Sequence, residues 1–392
     1  MRAFAVLARL SATALCFAAP LAAQASPKPD FAIPTYTAAY EPQGVDERGL
    51  WMEFDEMERS LRDSRFVIKD PELNAYIRGV LCRTVGNDRC GTVRLYIVQN
   101  PAFNASMASN GAMMVHTGLL LRVRDEAELG AVLGHEFAHF ELRHSLTNFK
   151  SARSTTDILN WASVLTTSGA SLAVNLWSMH FAFSRAQETE ADLLGLKYLV
   201  ASPYPASSAA HVWENLMAEA DATAAGRYQK IKHSYSTGPF ATHPSSLARA
   251  TYLRAEAAKA VDDGDPATGG YRAGMAKWLP LLLTDQIKLN DFGGTDYLLK
   301  QYAAVAGWTP ELLFARGELY RERGNPRDLV SASQFYEEAI AKGYERPEAK
   351  RGLGLALMRS QHVNEGRAAL QDYLNARPDA PDAGVLKTLV AQ

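Results

Sequence analysis

Leu133-Gly134-His135-Glu136-Phe137-Ala138-His139-Phe140 is the stretch on which the reading of this chain turns. It lies inside an apolar run from Glu126 to Leu146 whose spacing predicts a helix. Positions four apart share one helix face, so His135 and His139 present two imidazoles side by side. Neutral imidazole is a ready zinc ligand, and a catalytic zinc takes three protein ligands. Glu136, on the adjoining flank, is placed to take the proton of a water attacking a carbonyl. The competing reading is an ordinary amphipathic helix that carries these residues by chance.

Two histidines leave such a site one ligand short, and a second cluster supplies it. Ser184-Arg185-Ala186-Gln187-Glu188-Thr189-Glu190-Ala191-Asp192 is followed by Leu193-Leu194-Gly195. Glu188 and Asp192 are four apart and face the same way on a helix. One of the two can serve as the third ligand while the other accepts a hydrogen bond from a liganding imidazole, fixing its tautomer. Read alone, the cluster is equally a solvated acidic helix face. His144 is the other candidate third ligand. The spacing that would use it needs Gly three and His six residues after His139, where Leu142 and Ser145 stand. At about 100° per residue, a continuous helix puts His144 opposite His135 and off the metal.

The two clusters together resemble the HtpX-type zinc metallopeptidases, metallopeptidase family forty-eight, which carry HExxH followed by ExEAD. Other blocks agree: Asn104-Ala105, then Met113 to Thr117-Gly118-Leu119-Leu120, then Asp125 to Leu133 leading into the histidines. Downstream, Thr242-His243-Pro244 and Arg249 match a further block. The resemblance spans roughly Asp46 to Leu253 and implies a gluzincin-type domain. It carries over His135, His139 and Glu188 as ligands of one zinc ion per chain, Glu136 as general base and Asp192 behind a ligand histidine. His243 or Arg249 is expected to stabilise the developing oxyanion. His243 has two other readings, a fourth ligand that holds the enzyme latent and a plain surface histidine.

The ends and the composition set the context. Arg2 and Arg9 precede the apolar Leu10–Ala22, and Ala23-Gln24-Ala25 offers small-x-small cleavage, so residues 1–25 read as a secretory signal, with a membrane anchor as the other reading. Its removal leaves two cysteines, Cys82 and Cys90; in an oxidising compartment they read as a disulfide across a short loop, the alternative being two buried free thiols. A net charge of −2 implies no polyelectrolyte partner, and no basic patch with interleaved aromatics argues for nucleic acid. With 47% hydrophobic residues and this length, a globular chain of two domains is expected.

Along the chain, residues 26–43 read as an extended leader. Helical spacing runs from Asp46 to Arg65, and Pro71 opens a helix to about Thr84. Val93–Val98 alternates like a strand and Met113–His116 is a second one. The stretch between Gly111 and Thr117 is the expected edge strand for pairing with substrate backbone. Residues 154–183 are apolar but interrupted; they read as packed helices, or as a lid or membrane-surface element. Asp262-Asp263-Gly264-Asp265-Pro266 with Gly269-Gly270 marks a linker. Beyond it, one unit runs from Pro310 through Gly317, Tyr320, Ala332, Tyr336 and Ala339, and the next from Pro347 through Gly354, Leu357, Gly366, Leu370 and Pro378. Their period resembles tetratricopeptide or Sel1-like repeats, with a generic helical bundle as the alternative.

The expected architecture is α+β and mostly helical. It comprises a signal at 1–25, a zinc metallopeptidase domain with a small sheet at 26–260, and a helical repeat domain at 261–392. The resemblance extends to BepA-like envelope proteases and implies a periplasmic zinc endopeptidase acting on unfolded or misassembled envelope proteins. The repeats would hold substrate or dock to outer-membrane assembly machinery. The competing class is a chaperone-like adaptor whose zinc site is latent or structural.

Overall fold

A computed structural model describes residues 31–154, 183–230 and 247–391 of the chain. The signal segment, nearly all of 154–183, and Thr242-His243-Pro244 lie outside the described residues. Two helices precede the sheet. α1 (Gly44–Arg62) buries Leu50, Phe54 and Met57, the apolar stripe legible in the sequence. α2 (Pro71–Val85) carries Pro71 in its first turn, where a missing N–H costs nothing, and Asp70 caps it by accepting from the Leu73 amide at 2.9 Å. α3 (Asn87–Cys90) follows at once, and the expected disulfide joins Cys90 to Cys82 on the last turns of α2.

The sheet has three strands, β1 (Arg94–Val98), β2 (Ala105–Met107) and β3 (Ala112–His116), in the order β1-β3-β2. β1 runs parallel to β3 with Arg94 opposite Ala112, and β2 runs antiparallel to β3 with Ala105 opposite Val115. The Gly111–Thr117 stretch is therefore the centre of the sheet and not its edge, which corrects the expectation from sequence. The cause is a tight turn: the Ala108 amide donates to Ala112 O at 2.8 Å and the Gly111 amide to Ala108 O at 2.9 Å, folding β2 back over the open side of β3. Gly111 takes φ +92 there, and a Cβ would come within 2.8 Å of Thr92 O. Three residues are too few to show alternation, so β2 left no sequence signal. The outer strands are β1 and β2, and β2 lies against the helix of the histidines.

After α4 (Thr117–Arg122), that helix, α5 (Glu126–Glu141), starts at Asp125, whose carboxylate accepts from the Glu128 amide at 2.8 Å. Every residue from Glu126 to Phe140 except Ala131 is buried, so an ordinary surface amphipathic helix is excluded. α6 (His144–Ser154) begins three residues later. α7 (Arg185–Ala201) opens with a Ser184–Gln187 capping box, and α8 (Ser208–Gly226) and α9 (Leu247–Ala257) complete the layer around α5. α7 crosses α5 at Gly195: a Cβ at that position would lie 3.1 Å from the His135 Cα and N. Only glycine admits so close a crossing without a shift, and it brings the acidic N-terminal half of α7 alongside the histidines.

The remaining helices are α10 (Thr268–Met275), α11 (Leu279–Ile287), α12 (Phe292–Ala306), α13 (Pro310–Arg323), α14 (Pro326–Ala341), α15 (Glu348–Arg359), α16 (Val363–Ala376) and α17 (Ala383–Ala391). Packing continues across the Asp262–Gly270 linker. Tyr271 on α10 donates to Leu120 O at 2.6 Å, Tyr302 on α12 donates to Leu121 O at 2.9 Å, and Gln286 on α11 accepts from Arg122 at 2.9 Å. From α13 onward each helix packs on the next. Gly317 and Gly352 flank the Tyr336 ring, where a Cβ would come within 2.8 and 2.4 Å of it respectively. Among the described residues no helix is long and apolar enough to cross a membrane.

Candidate metal centre

The α5 helix aims both histidine rings at one point. His135 Nε2 and His139 Nε2 are 3.2 Å apart. Two nitrogens bound to one tetrahedral zinc, each roughly 2.05 Å from it, sit about 3.3 Å apart. Glu188, on the first turn of α7, brings its carboxylate to 3.6 Å from His135 Nε2 and 3.8 Å from His139 Nε2. Ligand atoms of His135, His139 and Glu188 all lie within 4.8 Å of one another, and all three residues are buried. Three converging donors of this chemistry at these separations fit a zinc ion. Buried imidazole and carboxylate groups turned on one another without a cation would otherwise be costly.

Behind the ligands, His135 Nδ1 lies 2.9 Å from Asp192 Oδ1. Asp192 in turn takes a two-pronged clasp from Arg249 on α9, with Nε at 2.8 Å and a terminal nitrogen at 2.7 Å, and a hydrogen bond from the Tyr252 hydroxyl. Burial works to raise the Asp192 carboxyl, but the Arg249 guanidinium and His135 outweigh it and hold it well below the usual carboxylate range. The third guanidinium nitrogen of Arg249 is 3.0 Å from Glu188, and its plane lies over the Trp213 ring at 4.0 Å. The far end of α5 is pinned as well: Glu141 accepts from Tyr198 at 2.7 Å and from Arg89, on the disulfide-tied α3, at 3.0 Å.

Glu136 is buried and lines a small cleft with Asn104, Ala105, Val132, Trp213 and Leu253, so the edge strand β2 and the carboxylate share one opening. The structure thus brings together His135, Glu136, His139, Glu188, Asp192 and Arg249; His243 falls outside the described residues. Sequence reasoning placed His144 on the far side of the helix, and the structure does not. Arg143 takes φ 58, α5 stops, and His144 folds back until its Nδ1 is 2.8 Å from His139 Nδ1. Its other nitrogen is 3.2 Å from Glu190, a residue given no role from the sequence. Phe183 also escaped notice; its ring stacks on His139 at 3.9 Å between centroids.

A helical domain with a small sheet, paired histidines on one helix and a carboxylate from the next is the arrangement characteristic of HExxH metallopeptidases. Residues 83–257 match the model of Peptidase family M48. The chain is 30% identical over 184 residues to the mitochondrial metalloendopeptidase OMA1 of Schizosaccharomyces pombe, covering 44% of this chain and 50% of that one. It is 27% identical over 209 residues to a candidate beta-barrel assembly-enhancing protease of Vibrio cholerae, covering 50% and 43%. The metalloprotease YcaL of Escherichia coli is 27% identical over 183 residues, covering 44% and 66%. The chain thus spans half or less of the length of the first two relatives.

Proposed function

We propose that this chain is a periplasmic zinc endopeptidase that cleaves unfolded or misassembled envelope proteins. The observation that carries the peptidase reading is the convergence of His135, His139 and Glu188 beside Glu136, at a cleft that Asn104 and Ala105 also line. His135, His139 and Glu188 would hold a zinc ion, which when bound would supply Lewis acidity to the scissile carbonyl and to the attacking water. Glu136 takes the water's proton and returns it to the leaving amine. An extended substrate would lie along the cleft that Asn104, Ala105 and Trp213 line beside Glu136, a mode that asks little of side chains and suits unfolded protein.

Arg249 has all three guanidinium nitrogens turned to Asp192 and Glu188, which supports a positioning part over the donor part expected from sequence. That leaves His243 as the candidate oxyanion donor or latch, and Arg249, six residues on, anchors the chain after it at the ligands. The V. cholerae relative's name supports an envelope role, and the serial helices from α13 to α17 suit a docking surface for substrate or assembly partner. The test is cleavage of a reduced, unfolded protein by the purified chain, with and without chelator, beside Glu136→Gln. Turnover should require metal and fall by at least two orders of magnitude in the variant while zinc stays bound. Chelator-resistant cleavage, or none by the zinc-loaded wild type, overturns the reading.

A further inference from the structure

The break after α5 has a chemical consequence. A non-glycine residue at positive φ is strained and persists where the surroundings demand it. Arg143 takes that conformation at φ 58, and the result is to turn His144 under His139 instead of away from it. Three groups then stand in a row: His139 Nδ1, 2.8 Å from His144 Nδ1, whose Nε2 is 3.2 Å from Glu190 Oε2. Both rings are buried, the Glu190 side chain is 63% exposed, and Phe183 packs against both imidazoles.

We propose that His144 and Glu190 are positioning residues that select the metal-binding tautomer of His139; the inference rests on the zinc reading above. Each contact in the row needs one proton and one lone pair. A carboxylate only accepts, so His144 places its proton on Nε2 and leaves a lone pair on Nδ1. His139 must then carry its own proton on Nδ1, which leaves Nε2 free to hold the metal. Reversing the row puts a proton on His139 Nε2 and closes it to zinc. His135 has an equivalent support in Asp192, whose carboxylate accepts from its Nδ1. The two ligand histidines are therefore set by two separate carboxylates, one acting directly and one through a ring. Both carboxylates come from the same helical stretch as the third ligand, Glu188-Thr189-Glu190-Ala191-Asp192.

The experiment is a zinc affinity measurement on the full chain by competition with a chromogenic chelator. His144→Phe fills the space and removes the acceptor; it should weaken zinc binding about 10- to 100-fold. His144→Asn keeps an acceptor oxygen near the Nδ1 position and should recover most of that loss, which a purely packing role would not allow. Glu190→Ala should cost a smaller factor, about threefold or more because the carboxylate is exposed, and Glu190→Gln less than Glu190→Ala. Should His144→Phe fail to fold in chelator, the exposed Glu190 pair carries the comparison. Equal affinity in wild type and His144→Phe, an Asn variant as weak as Phe, or no difference between the two Glu190 variants would overturn the inference alone. A folded wild type that takes up no zinc would overturn the peptidase reading and this inference with it.

Discussion

Arg249→Met tests the electrostatic frame behind the ligands. The guanidinium makes two hydrogen bonds to Asp192, at 2.8 and 2.7 Å, and a 3.0 Å contact with Glu188, and all three groups are buried. Removing one partner of a buried ion pair costs about 3–5 kcal/mol, because the other charge is left without compensation. Methionine replaces most of the packing on Trp213, so that range is the expected loss in chelator, read by denaturant unfolding. With zinc saturating, a cation again faces Glu188 and the loss should be smaller. Arg249→Lys keeps the charge without the fork and should fall between. The pH dependence has a definite sign. The Asp192 carboxyl is depressed in the folded chain, so its contribution is present above the unfolded value near 3.8 and fades as pH falls through the folded one. The gap between wild type and Arg249→Met should therefore narrow below about pH 4. A loss under about 1 kcal/mol in chelator at pH 7 would mean the pair is solvated, and would refute the argument.

Burial pushes the His116 imidazole down to about 4, so the folded chain resists a proton that the unfolded chain takes up near 6.5. Stability should be lost as pH falls from 6.5 toward 4, and His116→Phe should lose roughly 3 kcal/mol less over that window, measured by unfolding in chelator; parallel pH curves would sink this. Cys82→Ala with Cys90→Ala opens the disulfide and should cost roughly 2.5 kcal/mol, while denatured, unreduced wild type should show no free thiol from these two residues. A chain ending after Ala306 keeps Tyr271, Gln286 and Tyr302 against α4 and should fold and bind zinc. One ending at Asp262 loses all three contacts and should unfold at lower denaturant; equal midpoints would place the structural boundary at the linker.

The site was legible where its chemistry is local. Histidines at i and i+4, and carboxylates at i and i+4 on the next acidic helix, announce convergence because helix geometry fixes which face each residue occupies. What was not legible depended on contacts distant in sequence. Nothing in Glu141-Leu142-Arg143 signals a helix end, since neither Gly nor Pro is there. The end is imposed from outside: the Arg143 guanidinium packs over the Tyr40 ring at 4.7 Å, and Glu141 is held by Arg89 and Tyr198. Extending the helix by its period put His144 on the wrong side for a sound local reason. Gly195 was read only as the residue after the acidic cluster, yet its missing side chain sets how closely α7 approaches His135.

The linker shows the same limit from the other direction. Asp262 to Gly270 has the composition of a boundary, and the chain is irregular there until Thr268. Composition reports the local cost of ordering a backbone and not which surfaces meet on either side of it. The tyrosines that join the two sides, Tyr271 and Tyr302, both donate to carbonyls at the end of α4, just ahead of α5. Leu120 O and Leu121 O lie too near that helix's end to be satisfied within it, so the helices beyond the linker complete the hydrogen bonding of the peptidase core itself. Anything that moved α10 or α12 would strip those carbonyls of their partners a few residues from the start of the metal helix. The packing of α10 and α12 and the footing of the helix that carries His135 and His139 are therefore joined through α4.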